Sequence, residues 1–137
     1  MQTIASAATS APAPERHCRK EPIAAARGAE LGRVAIVHDY LNQPGGAERV
    51  VLELADLFKG APILTSLYRP ESTFPEFAGR DIRTSPLNRL PVDRGFRNLF
   101  ALYPAAFRSF GVLDHDVVIS SSSGWAHSVR TAPHTLH

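Results

Sequence analysis

Cysteine is nearly missing: Cys18 is the only one in 137 residues. The chain therefore has no internal disulfide to form, and a reducing cytosol is its simplest home. No run of 18 apolar residues occurs, which leaves no sequence candidate for a membrane-spanning helix. The first residues also lack the basic start and long apolar stretch of a secretory signal. Charge of one sign is not in excess: 15 Lys and Arg stand against 13 Asp and Glu, a formal charge of +2. From Arg33 onward the count is 11 against 10, which excludes the concentrated basic surface of a nucleic-acid binder.

Three motifs are absent as well. Without G-x-G-x-x-G there is no dinucleotide fingerprint, and without G-x-x-x-x-G-K-[ST] there is no nucleoside-triphosphate loop. Without G-x-S-x-G there is no serine-hydrolase elbow.

The hydrophobic content of 44% and the length suit one soluble domain with a core of its own. Residues Met1–Gly32 are rich in Ala, Ser, Thr and Pro and lack periodic large apolar residues. They are expected to form a flexible leader, because too little apolar surface is available to offset the entropy of ordering them.

The organising stretch is Arg33–Phe58. Arg33-Val34-Ala35-Ile36-Val37-His38 is a short β-branched, apolar run that predicts a parallel strand covered on both faces. A turn follows through Asp39 to Gly46. Ala47, Val50, Val51, Leu54 and Phe58 then recur at helical spacing, with Glu48, Arg49, Glu53, Asp56 and Lys59 between them as the polar positions. At the turn, backbone N–H groups without intrahelical partners and the positive end of the helix dipole favour an anion beside Gly45 and Gly46. The bland alternative is that the two glycines only permit the turn.

His38-Asp39-Tyr40-Leu41, followed by Gly45-Gly46-Ala47-Glu48-Arg49-Val50-Val51-Leu52-Glu53-Leu54-Ala55, resembles the opening of the N-terminal domain of family 4 glycosyltransferases. The resemblance continues more weakly through Asp116-Val117-Val118-Ile119-Ser120-Ser121 and covers most of residues 33–137. It implies an α/β, Rossmann-like open parallel sheet with flanking helices, as a partial N-terminal domain of the two-domain GT-B architecture. The implied chemistry is transfer of a hexose from a nucleotide-sugar to a saccharide or lipid-linked acceptor, with retention of configuration, no cofactor and no essential metal. Gly45 and Gly46 would face the donor diphosphate, and His38, Asp39 and Tyr40 would line the cleft floor or acceptor side. Ser121, Ser122, Trp125 and His127 are further acceptor or donor contacts. No catalytic residue is assigned; the family's cleft histidine and its donor domain are expected beyond His137, so the chain alone is expected to be inactive.

Further along, Ile63–Tyr68 predicts a second strand, Arg69–Gly79 a loop, and Asp81–Thr84 a short third strand. Phe96, Phe100, Tyr103, Phe107 and Phe110 fall on one helical face within Arg94–Phe110, with a kink or break expected at Pro104. That stripe either buries against the sheet or lies on an anionic membrane, since six Arg stand against Asp81 and Asp93 from Arg80 to Arg108. A cytoplasmic location is expected from the lone cysteine and the missing signal, and the second reading of the stripe adds peripheral contact at the inner membrane face. Asp114-His115-Asp116 reads as a solvated turn rather than metal ligands, and Asp116–Ser120 as a strand. Ser120–His127 then lies beyond its carboxyl end, where open α/β sheets bind ligands, and a further strand is expected near Thr135. A non-catalytic binding module and an inactive gene fragment are the alternative readings of the whole.

Overall fold

The computed structural model describes residues 31–91, 99 and 101–137. The expected leader falls outside them except for its last two residues, as do Phe96 and Phe100 of the aromatic stripe. The described residues form six strands: β1 (Val34–His38), β2 (Ile63–Thr65), β3 (Ile82–Thr84), β4 (Val112–Leu113), β5 (Val117–Ser121) and β6 (Arg130–Thr131). Helix α1 spans Gly46–Leu57 and α2 spans Tyr103–Arg108, with short 3₁₀ turns in the connections.

Four of the strands form a parallel sheet in the order β3-β2-β1-β5. This is an α/β fold with helices flanking a parallel sheet, an arrangement compatible with a Rossmann-like domain. β1 is buried along its whole length, as a central strand of such a sheet must be. Its side chains alternate between two cores. Ala35 and Val37 join Leu64, Val118 and the α2 residues Tyr103, Ala106 and Phe107. Ile36 joins Ile63, Phe77 and the α1 residues Val51, Leu52 and Ala55. Each helix thus covers one face of the sheet.

Several expectations are corrected in detail. The buried stripe of α1 is Glu48, Val51, Leu52 and Ala55, at spacings of three, one and three. Val50, expected to face the core, is 52% exposed, whereas Glu48, expected to face solvent, is 1% exposed. The buried face is displaced by one residue, about a quarter turn, from the apolar pattern, and it places Glu48 over His38. The second strand stops at Thr65 rather than Tyr68. Pro104 lies in the first turn of α2, where its missing N–H costs nothing, which is the break rather than the kink of the expectation. Tyr103 and Phe107 are buried and Phe110 is half-buried against the same core, which is the sheet-facing alternative for these three residues.

β4 and β6 form a separate two-residue parallel pair that the sequence pattern does not announce. Near the expected last strand, Leu136 bridges Val117 in parallel, with Leu136 N donating to Asp116 O at 3.0 Å and Val118 N to Leu136 O at 2.8 Å. The chain there pairs along the free side of β5.

Candidate functional site at the carboxyl ends of β1 and β5

The connection after β1 runs to β2 and β3 on one side, whereas β5 pairs with β1 on the other. The crevice beyond the carboxyl ends of β1 and β5 is therefore the point where strand order reverses, the usual ligand position in open α/β sheets. His38 and Ser121 are direct register partners at that end. His38 Nδ1 lies 2.7 Å from the Ser121 carbonyl oxygen; since a carbonyl only accepts, Nδ1 carries the proton. Nε2 points the other way, 3.8 Å from Glu48 Oε1.

Asp39 continues from His38 and is buried. Its carboxylate is wrapped by the loop after β5. The amides of Ser123 and Gly124 donate to Oδ2 at 2.7 and 2.8 Å, and those of Trp125 and Ala126 donate to Oδ1 at 2.8 and 2.7 Å. The Ser122 hydroxyl adds a bond at 3.1 Å. Successive backbone N–H groups of this kind form an anion-binding concavity, and here the chain fills it with its own carboxylate. Burial raises the Asp39 pKa, but the bonds from Ala126, Ser123 and Trp125 amides and from Ser122 outweigh it and hold the group below the ordinary aspartate value.

The stitching extends across the sheet. The Asp39 carbonyl accepts from Ser66 N at 3.2 Å and also from the Ser66 hydroxyl. The Ser85 hydroxyl donates to Ser66 O at 3.0 Å. Tyr103, whose phenol is pushed up by burial, is hydrogen-bonded to Ser66 on the opposing side of that balance. The carboxyl ends of β3, β2, β1 and β5 are thus tied together through Asp39 and Ser66.

At the head of α1 the two glycines differ. Gly45 is the N-cap with extended backbone, φ −131°, a conformation open to any residue. A Cβ on it would lie 2.5 Å from Glu48 Oε2, so any larger residue there would have to displace the buried carboxylate. Gly46 is exposed, and a Cβ there would meet nothing within 4 Å. No side chain caps the helix, and the first intrahelical bond runs from Arg49 N to Gly45 O at 3.1 Å.

The expected site residues divide accordingly. His38, Asp39, Ser121 and Ser122 are brought together at one edge through mutual hydrogen bonds. The Asp39 carboxylate is turned into the loop, and the amides of residues 123–126 are occupied by it. Tyr40 and Trp125 are half-buried and pack on the same core. The Trp125 ring stacks on exposed His127 at a centroid distance of 6.2 Å. Glu48 is the residue that pattern reading missed, since it was grouped with the polar face of α1; its one signal is the Gly-x-x-Glu spacing, an acidic residue at the third helical position after the cap.

Five buried side-chain polar atoms lack a protein partner among the described residues. Four of them, His38 Nε2, Asn42 Oδ1, Glu48 Oε2 and Trp125 Nε1, belong to this edge; His115 Nδ1 is the fifth. Buried polar groups are ordinarily paired, and most of the unpaired ones among the described residues gather at this edge. A cavity of about 480 Å³ lies instead at the opposite end of the sheet, lined by Arg33, Lys59, Arg83 and His115 among others. It adjoins the carbonyl end of α1, whose dipole disfavours the anion that those cations would attract. Among the described residues no group of three or more His, Cys, Asp or Glu is placed to hold a metal ion, and no helix is long and apolar enough to cross a membrane.

No protein-family model, no curated protein and no solved structure matches the chain.

Proposed function

We propose that residues 33–137 act as the N-domain side of a family 4-like, GT-B glycosyltransferase cleft, contributing to hexose transfer from a nucleotide-sugar. The observation that carries this reading is the convergence of the uncapped Gly45-Gly46 turn, His38 and the Ser121–Trp125 loop at the strand-order reversal between β1 and β5. The N–H groups at the head of α1 meet the donor diphosphate and stabilise the charge that develops on it as the glycosidic bond breaks. Tyr40, Trp125 and His127 supply apolar and polar walls for a sugar ring, with Ser122 at the rim. The Asp39 clamp holds the loop after β5 in one conformation, so that these walls stand ready before a ligand arrives.

Thermal unfolding of the full chain with millimolar uridine or guanosine diphosphate-sugars tests the reading. A ligand that binds only the native state raises the midpoint, by an amount that grows with its concentration over Kd. A midpoint raised by one nucleotide-sugar and unmoved by the free sugar supports it. A cooperative transition indifferent to every nucleotide-sugar counts against it and favours a binding module without this chemistry.

A further inference from the structure

We propose that one exposed apolar flank of α1, together with the half-buried side of β5, is a docking surface for the chain's own segment Pro22–Glu30.

α1 carries apolar side chains around more of its circumference than the sheet covers. Its buried stripe is Glu48, Val51, Leu52 and Ala55. Ala47, Val50, Leu54 and Leu57, spaced by three, four and three, make a second stripe beside it. Three of these are exposed and Leu54 is half-buried. The opposite flank is tied down. Arg49 bonds Glu76 at 3.2 Å and lies 4.0 Å from the Phe74 ring centroid, and Arg80 bonds Asp56 at 2.6 Å. Residues 74–80 lead into β3, so that flank faces the β3 side of the sheet. The apolar flank therefore faces the other way, over β5.

β5 supplies the floor. Val117 and Ile119 are the register partners of Val34 and Ile36, and Ile36 belongs to the core beneath α1. Val117 and Ile119 thus point to the same side as α1, yet both are only half-buried. Helix flank and strand together form one apolar step, the kind of continuous surface that marks an interaction site.

The occupant follows from where the chain enters. Gly32 lies against Asp116, just before β5, and with Leu57 and Phe58 it lines the cavity at the amino end of the sheet. The segment before it therefore leaves from the corner where flank and floor meet. The nine residues Pro22–Glu30 hold Ile23 and four Ala, with Arg27 and Glu30 the only charges, whereas five of the seven residues Glu15–Glu21 are charged. At the rise of a helix or of a strand, nine residues span about 13 or about 30 Å, and the stripe from Ala47 to Leu57 runs about 15 Å. The segment is long enough to cover most of the stripe in either case.

Tethering at Gly32 also presents the segment at an effective concentration far above that of a free partner. A second copy of the chain fits less well. Two such flanks laid antiparallel about a two-fold axis would set Glu53, exposed beside Val50 and Leu57, against its own symmetry mate. Arg27 instead offers Glu53 an opposite charge.

Limited trypsin digestion of the full chain, read by mass spectrometry, tests the docking. Arg19 precedes the segment and is the internal reference for Arg27 within it. Cleavage follows the undocked population when docking is fast relative to cutting. The Arg27-to-Arg19 cleavage ratio of the unsubstituted chain is expected to lie about tenfold below that of Val50→Asp and of Ile23→Asp. The first variant charges the flank at an exposed position, and the second charges the segment, so the two act from opposite sides of the contact. Equal ratios in all three chains overturn the proposal. Protection of Arg27 that disappears as the chain is diluted assigns the surface to a second copy and overturns it as well.

Discussion

The Asp39 carboxylate accepts the Ala126 amide at 2.7 Å across 87 residues of chain, and Ser123, Gly124 and Trp125 converge on the same two oxygens. One side chain therefore holds the loop after β5 against the end of β1. Asp39→Ala leaves four amides without their acceptor in a part-buried site, and hydrogen bonds to a charged group are worth roughly 1.5–3 kcal/mol each in isolation, with strong non-additivity. The expected loss is on the order of 3 kcal/mol or more in urea unfolding. Asp39→Asn keeps one acceptor oxygen but turns an NH2 donor toward two backbone amides, so it should recover little of that loss. A loss within about 0.5 kcal/mol, the level of an ordinary surface substitution, would show that the loop holds without the clamp.

The same clamp sets an acid limit. Asp39 has its folded-state pKa lowered below the ordinary aspartate value. Its contribution to stability is therefore fully present above the unfolded value, near pH 4, and is lost as pH falls through the lower folded value. Unfolding free energy measured at descending pH should drop below about pH 4, and the drop should be shallower in Asp39→Asn, which has no proton to take up. Equal slopes in the two proteins would assign acid sensitivity to other carboxylates.

How much of this was legible in the sequence depends on chain distance. β1, the glycine turn, α1 and the third strand follow from local patterns, and they stand where those patterns place them. The rotation of α1 was not legible, because the apolar set Ala47, Val50 and Leu54 outnumbers Glu48 on any helical wheel, and only the presence of His38 on β1 makes burying Glu48 tolerable. The Asp39 clamp was hidden for a related reason. The serine-rich run after β5 suggests polar loop chemistry, but its acceptor lies more than 80 residues upstream. Two-residue strands such as β4 and β6 carry too few residues for any periodicity.

The two glycines of the turn should respond oppositely to substitution. Gly45→Ala drives a methyl group into Glu48 Oε2, an overpacking expected to cost about 1–3 kcal/mol. Gly46→Ala meets open space in the first turn of a helix, so it should be neutral or stabilise by up to about 0.5–1 kcal/mol. Shortening Glu48 in the Gly45→Ala background tests the cause. In the double variant with Glu48→Ala, the two effects should fail to add by about 1 kcal/mol or more, the mark of residues in contact. Simple additivity would place the intolerance of Gly45 elsewhere.

Phe107 decides between the two readings of the aromatic segment for the residues described. It is fully buried in the core beneath α2, with the Phe110 ring 6.3 Å away. A side chain that inserted into lipid would sit exposed in the free protein, and its removal would weaken vesicle binding while leaving stability untouched. A core side chain does the reverse. Phe107→Ala is therefore expected to cost about 3–5 kcal/mol in urea unfolding, enough to leave so small a domain marginal. Exposed Arg108, on the same helix, supplies the contrast. Arg108→Glu should leave stability within about 0.5 kcal/mol, and it reverses the charge that an anionic vesicle would attract. Sedimentation with anionic vesicles separates the cases. If Arg108→Glu abolishes sedimentation of a folded chain, α2 touches the membrane through its charged face while Phe107 still serves the core. If neither protein sediments, α2 belongs to the sheet alone.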